Sequence, residues 1–252
     1  MTHLLLIHGA WQGAWAWERV VPELNRKGYV CHPVDMPGNG NGADQTAPED
    51  VSLDLYSRFL ANELDRIGQP AVVIGHSSGG ILASQLAEDE PDRVRAIVYV
   101  AGMMLPSGMG FADVVAELMA TAPEAAGIIP YLEWSEDGET SSVVDGAARK
   151  MFYHDCPKHL SDAAAAKLKR HPQRGRAITP ILSRDRFGRV PRAYVEATLD
   201  RSVVPAAQAR MQELVPGAAR YSMKTGHAPL LGKPRVLAGI IDQAIQDFGL
   251  DG

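Results

Sequence analysis

Apolar residues follow two alternating rhythms along this chain. Short runs rich in β-branched and aliphatic residues, with few polar breaks, read as strands; the first, His3 to His8, is apolar throughout its middle and reads as buried on both faces. Similar runs lie at 29–34, 71–76, 94–101, 192–197 and 218–223. Between them apolar residues recur every three or four positions, the period of an amphipathic helix. One such helix is expected from about Trp15 to Lys27, with Trp17, Val20, Val21 and Leu24 on one face and Gly28 closing it. A second runs from about Ser52 to Ile67, with Leu53, Tyr56, Phe59, Leu60 and Leu64 at helical spacing. Others are expected at 81–90, 205–214 and 236–248, and Asp35 to Gly42 is a turn-rich loop.

After Gly102 the rhythm stops and resumes only near residue 184. The stretch between has helical pieces at Phe111 to Thr121 and Lys158 to Arg170. A turn signal at Glu136-Asp137-Gly138 admits a hairpin. It reads as an insertion. The expected organisation is a core from residues 1–102 and 184–252, with a mainly helical cap from 103–183. Alternating strands and helices imply an α/β fold, doubly wound, with a mostly parallel six-stranded sheet covered on both faces. Right-handed crossovers limit the strand orders available. If the second strand flanks the first on one side and the strand at 71–76 on the other, the order reverses between those two. Ligands bind beyond the carboxyl ends of strands at such a reversal. The loop Gly9-Ala10-Trp11 and the turn at Ser77 would then face one crevice.

A length of 252 residues suits one domain, or one domain with an insertion, and is ample for a full core. A net charge of −5 and a pI near 5.9 leave no basic footprint for nucleic acid. No apolar run reaches the length of a membrane span. The chain enters a strand directly after Met1-Thr2, so no signal peptide is expected, and the cytoplasm is the default location. Cys31 and Cys156 lie far apart without metal-ligand spacing, and read as free thiols.

The chemistry centres on Gly75-His76-Ser77-Ser78-Gly79, a G-x-S-x-G match with a strand before it and a helix after it. A bare match also describes an ordinary glycine-rich turn. The strand–turn–helix context is what a nucleophile elbow requires. There the serine sits in a strained turn, the glycines let strand and helix approach, and the helix N-terminus offers N–H groups to a developing oxyanion. A serine nucleophile needs a base, and the base needs an acid to orient it. Of the eight histidines, His227 follows the last strand and precedes the last helix, which places it at the sheet's carboxyl edge. Asp200 follows the fifth strand in the same way, although alone it also suits a turn or a helix cap. Asp185 precedes that strand and falls at the opposite edge.

The residues His8-Gly9-Ala10-Trp11, Gly75 to Gly79, Phe152 to Cys156, Asp200 and Gly226-His227 together resemble the α/β-hydrolase superfamily. The likeness extends over nearly the whole chain. It is greatest to the branch of plant methylesterases, hydroxynitrile lyases and related bacterial esterases. This resemblance implies a triad of Ser77, Asp200 and His227, with the backbone N–H groups of Ala10 and Ser78 as the oxyanion hole. It reads His8 and His76 as loop-holding rather than catalytic. Lyases of this branch carry a hydroxyl residue at the position of Ala10 and a lysine at that of Ala228, and this chain has neither.

The reaction expected is therefore hydrolysis of a small, uncharged or weakly charged, largely apolar ester by a serine carboxylesterase. A lyase on the same site and a ligand receptor with little turnover are the rivals. Met103, Met104, Phe111, Met119, Trp134 and Phe152 are candidates for the pocket lining, with Trp11 at the entrance, although each would serve equally as packing within the cap. No cofactor or metal is called for. The expected partner is a small-molecule ester, without nucleic acid or membrane, and a homodimer is left open.

Overall fold

The computed structural model describes residues 1–39 and 44–250. Gly40, Asn41 and Gly42 of the expected turn-rich loop lie outside the described residues. Six strands form the central sheet: β1 (His3–Ile7), β2 (Val30–Val34), β3 (Ala71–His76), β4 (Val94–Val100), β8 (Arg192–Ala197) and β9 (Ala219–Met223). Their order is β2-β1-β3-β4-β8-β9, and every pairing is parallel. The order reverses between β1 and β3, where Leu4 pairs with Cys31 on one side and Val72 on the other.

Strand alternation divides the core into two layers. Leu5, Ile7, Val73, Ile97 and Tyr99 point to one face, packing under the helices Leu53–Ile67, Gly79–Asp89 and Pro205–Leu214. Leu4, Leu6, Val72, Ile74 and Val98 point to the other, against Trp17, Leu24 and the helix Pro234–Asp247. The helix Leu53–Ile67 has clear local causes. The Ser52 side chain accepts from the Leu55 amide at 3.1 Å, and Gly68 ends the helix at φ 70°. The single helix expected at 15–27 is instead a 3₁₀ turn, Ala14–Trp17, followed by a short α-helix, Val21–Asn25. Pro22 is the reason: lacking an N–H, it starts a helix readily but does not continue one.

The segment between β4 and β8 is more mixed than its sequence suggests. It holds the helices Phe111–Leu118, Ala147–Met151 and Lys158–Lys167, the first and last of these ending three residues early. It also forms a three-stranded antiparallel sheet of β5 (Leu132–Trp134), β6 (Thr140–Val143) and β7 (His171–Pro172). The hairpin turn is built as its Asp-Gly implies. Asp137 accepts from Ser135 Oγ at 2.6 Å and from the Glu139 amide at 2.9 Å, and Gly138 takes φ 75°. A third apolar cluster joins Met151, Phe152, Tyr153 and Ala164 of this segment to Ala10, Trp11 and Ala228 at the carboxyl edge of the large sheet. Among the described residues no helix is long and apolar enough to cross a membrane.

Candidate active site

Ser77 ends β3 in the left-handed region, at φ 53°. A non-glycine residue held there stores about 1–3 kcal/mol of strain, which its surroundings must impose. They do so by closing on the turn. The Ser77 carbonyl accepts from the Gly80 amide at 3.0 Å and the Met103 amide at 2.8 Å. A Cβ on Gly75 would lie 2.6 Å from the Gly79 oxygen, and one on Gly79 would lie 2.7 Å from the carbonyls of Ile7 and His8. A Cβ on Gly9 would come within 2.9 Å of the Ser77 Cβ. The turn and the loop after β1 are therefore in contact across the strand-order reversal.

His227 and Asp200 meet at the same edge. His227 Nδ1 lies 2.7 Å from Asp200 Oδ2, both side chains being almost wholly buried. The other carboxylate oxygen accepts from the amides of Ser202 at 2.7 Å and Val203 at 3.1 Å, which fixes the carboxylate's orientation. Donation of Nδ1–H to Asp200 leaves Nε2 of His227 with the lone pair. Asp185 is an exposed residue ahead of β8.

A second ring of groups positions His227. His76 Nε2 lies 2.8 Å from the His227 carbonyl, and the two imidazole rings are 4.8 Å apart. Burial, and after it the neighbouring His227, hold His76 well below its usual pKa, so its ring is neutral. A neutral ring that donates Nε2–H presents a lone pair at Nδ1. Gln12, 3.2 Å away, must then turn its NH₂ to that nitrogen and its oxygen to the Tyr153 hydroxyl. Asp155 braces the loop ahead of His227, accepting from Thr225 Oγ1 at 3.0 Å and from the Gly226 amide at 2.6 Å. Phe152 packs on the His227 ring with centroids 5.3 Å apart. His8 holds its own turn: Nδ1 meets the Gly9 carbonyl at 2.8 Å, and Nε2 accepts from the Met36 amide at 3.1 Å.

Ala10, Trp11, Ser77 and Ser78 line one wall of a cavity of about 270 Å³. Trp11 stands at φ 62°, and among the described residues neither the Ala10 nor the Ser78 amide donates to another protein group. Of the expected pocket residues, Met103 and Phe111 also line this cavity, while four stand elsewhere. Met104 turns into the core layer beneath the helices. Met119 falls just past the end of its helix and is 43% exposed, and Trp134 lies on the edge strand β5, 46% exposed. Phe152 is buried between His227 and Trp11 rather than in the cavity wall.

Much of the remaining lining comes from residues without a sequence signal, among them Ile128, Gln173, Arg176 and Ile178. Gln173 to Arg176 is a four-residue helix, too short for a periodic signal, within a basic run that reads as solvated surface. Neither cysteine is disulfide-bonded, and burial raises both thiols to about 12. Among the described residues no three His, Cys, Asp or Glu side chains gather as metal ligands would.

The sequence is 29% identical to a pyrethroid hydrolase of Sphingobium wenxiniae, over 98% of this chain and 88% of that one. It is also 29% identical to Esterase PIR7B of Oryza sativa subsp. japonica, over 95% and 94% respectively. Among solved structures, that of a pyrethroid hydrolase from Sphingobium faniae superposes with a TM-score of 0.84 at 26% identity, covering 98% of this chain and 97% of that one. A methylesterase from Arabidopsis, at 19% identity, shares the fold with a TM-score of 0.83. The model of the Alpha/beta hydrolase family matches residues 4–240, from β1 into the last helix, and the chain belongs to that family.

Proposed function

We propose that this protein is a serine carboxylesterase acting on a small ester through an acyl-enzyme. The observation that carries the reading is the buried His227–Asp200 pair, 2.7 Å apart, at the same sheet edge as the strained Ser77. In this mechanism Ser77 Oγ attacks the ester carbonyl and His227 Nε2 takes its proton. Asp200 holds the tautomer and stabilises the imidazolium. The Ala10 and Ser78 amides receive the oxyanion, each such donor contributing roughly 3–4 kcal/mol in the transition state. The acyl–oxygen bond breaks, the alcohol leaves with the proton from His227, and water returns the acid and the free serine. No redox step or cofactor enters this balance.

Segment 103–183 serves as the cap, supplying Met103, Phe111 and the wall at 173–179. A cavity of about 270 Å³ is small for a ligand site and suits a compact ester. The hydrolase and esterase relatives support the reaction class. A lyase would want a hydroxyl beside the oxyanion loop and a cation beside the base. Ala10 and the buried Ala228 provide neither.

The test is Ser77→Ala with an aryl acetate and an organophosphonate. The variant should keep its fold and lose nearly all hydrolysis, and the phosphonate should label Ser77 of the wild type. Label on another serine, or activity surviving in the variant, would refute the assignment. Cyanide release from mandelonitrile with all esters inert would favour the lyase.

A further inference from the structure

Arg176 lines the same cavity as Ser77. Its guanidinium carbon lies 5.7 Å from the centre of the Trp11 ring and 5.3 Å from that of Trp134. These two aromatic rings hold it at the cavity wall. Among the described residues it has no hydrogen bond and no ion pair. Burial lowers its pKa, but a guanidinium starts so high that it stays charged. The result is a partly desolvated cation with a fork of N–H donors and no acceptor among the described residues, a costly arrangement unless a ligand supplies one.

Its surroundings sharpen the sign of the site. Gln173, three residues earlier, lines the same wall; its Oε1, buried without a partner among the described residues, is an acceptor and adds no positive charge. His171 nearby adds no second charge, since burial pushes it down to about 3. The other charged residue of the lining, Asp113, is exposed, and its carboxylate is committed to the Gly110 amide at 2.8 Å. The positive charge is therefore the inner one and the unmatched one.

We propose that Arg176 determines specificity by pairing with a second, ionised carboxylate on the substrate. The substrates would be half-esters of dicarboxylic acids or esters of hydroxybenzoic acids. The chemistry is unchanged: Ser77 cleaves the ester, and the free carboxylate only anchors. This inference rests on the esterase reading and narrows its substrate from an uncharged or weakly charged ester to an anionic one. A planar fork matches a carboxylate in two parallel hydrogen bonds, which a lysine cannot reproduce.

Two matched ester pairs test it. 4-Acetoxybenzoate against phenyl acetate places the charge on the leaving group. Monomethyl adipate against methyl hexanoate places it on the acyl group. In at least one pair the wild type should favour the charged member in kcat/KM. Arg176→Met should lower that member about 100-fold while leaving its neutral twin within about threefold, and Arg176→Lys should fall between. Preference for the neutral ester in both pairs would overturn the proposal. So would an equal loss on both members, which is what a mere prop for Trp11 would give.

Should Arg176→Met fail to fold, inhibition of the wild type reads the same contact. Benzoate should compete at roughly tenfold lower concentration than benzamide, and equal inhibition counts against the pairing. Ser77-dependent turnover without charge preference removes the Arg176 proposal alone. No Ser77-dependent turnover of any of the four esters removes the esterase reading and this inference with it.

Discussion

In the proposed mechanism Asp155 would bear on catalysis without touching the site of reaction, and its replacement by alanine tests how much His227 depends on its loop. The carboxylate receives two donors from the residues just ahead of His227, Thr225 Oγ1 at 3.0 Å and the Gly226 amide at 2.6 Å. Thr225 and Gly226 are buried, so Asp155→Ala leaves a backbone N–H without an acceptor. Such an orphan costs about 1–3 kcal/mol, and the hydroxyl, which can turn elsewhere, costs less. A total near 2–4 kcal/mol in a chain of this size lowers Tm by roughly 5–12 °C. The methyl group also leaves a gap beside Gly226, whose Cα position packs so closely that a Cβ there would lie 2.5 Å from Asp155 Oδ1. A shift of the loop moves the imidazole, and about 1 Å of misplacement costs on the order of 100-fold in rate.

Stopped assays on 4-nitrophenyl acetate well below the melting temperature should therefore show kcat down by about 10- to 100-fold, with KM little changed. Asp155→Asn keeps one carbonyl oxygen as acceptor and should lose less. Wild-type kcat in Asp155→Ala at such a temperature would refute the reasoning, for it would mean the His227 loop holds its place unaided.

Three further outcomes follow from the same geometry. Asp200→Asn should cost up to about 10⁴-fold in kcat by favouring the wrong imidazole tautomer, whereas Asp185→Asn, at an exposed site, should change it little; the reverse ranking would displace Asp200 as the acid. Gly75→Ala should abolish soluble, active protein or lower Tm steeply, since its Cβ would sit 2.6 Å from the Gly79 oxygen; a melting curve like the wild type's would contradict that packing. His8, His76 and His171 are all held below their usual pKa by burial, so the unfolded chain binds more protons than the folded one below about pH 6.5. Stability should then be full above that pH and fall as acid is added, for His171 over the window from 6.5 down to about 3. Because burial is the largest cause of the His171 shift and outweighs its backbone contact with Gly175, His171→Phe should flatten the acid side of a Tm–pH curve; an unchanged slope would count against this account.

Much of the frame was readable before any coordinates. Uninterrupted apolar runs mark β1, β3 and β4 because both faces of those strands are buried, so no polar residue is tolerated in their middles. The position of Ser77, Asp200 and His227 after the third, fifth and sixth strands of the parallel sheet placed them at one edge by topology alone, and they do lie there. Helix continuity was less legible, since the apolar spacing at 15–27 persists across Pro22, where the backbone cannot follow it. The pocket was least legible. Met104 and Met119 sit one and sixteen residues beyond Met103 yet fall in the core and on the surface, because the chain turns away after Met103 and, before Met119, lines the cavity again only over 110–113. Arg176 and Gln173 reach that wall from a four-residue helix, with no periodicity to announce them.

The bonds between segment 103–183 and the sheet's carboxyl edge also bear on how such a protein can diverge. Tyr153 supports Gln12 and through it His76; Asp155 braces the His227 loop; the Lys169 amide binds the Trp11 carbonyl at 2.9 Å. New substrate ranges call for new walls, but Tyr153 and Asp155 are not free to drift with them, and position 169 must keep a backbone N–H. A chimaera that imports a foreign 103–183 whole would leave its own histidine loop unbraced. One that exchanges only 103–146 would keep those supports and put at risk the indole bond from Trp11 to Ser141, the Glu117–Arg210 ion pair and, unless residue 103 keeps its N–H, the Met103 amide bond to the Ser77 carbonyl. Recombination in this lineage should thus tolerate breakpoints just before Ala147, and grafts of the later half should work only when the host's loop after β9 travels with them.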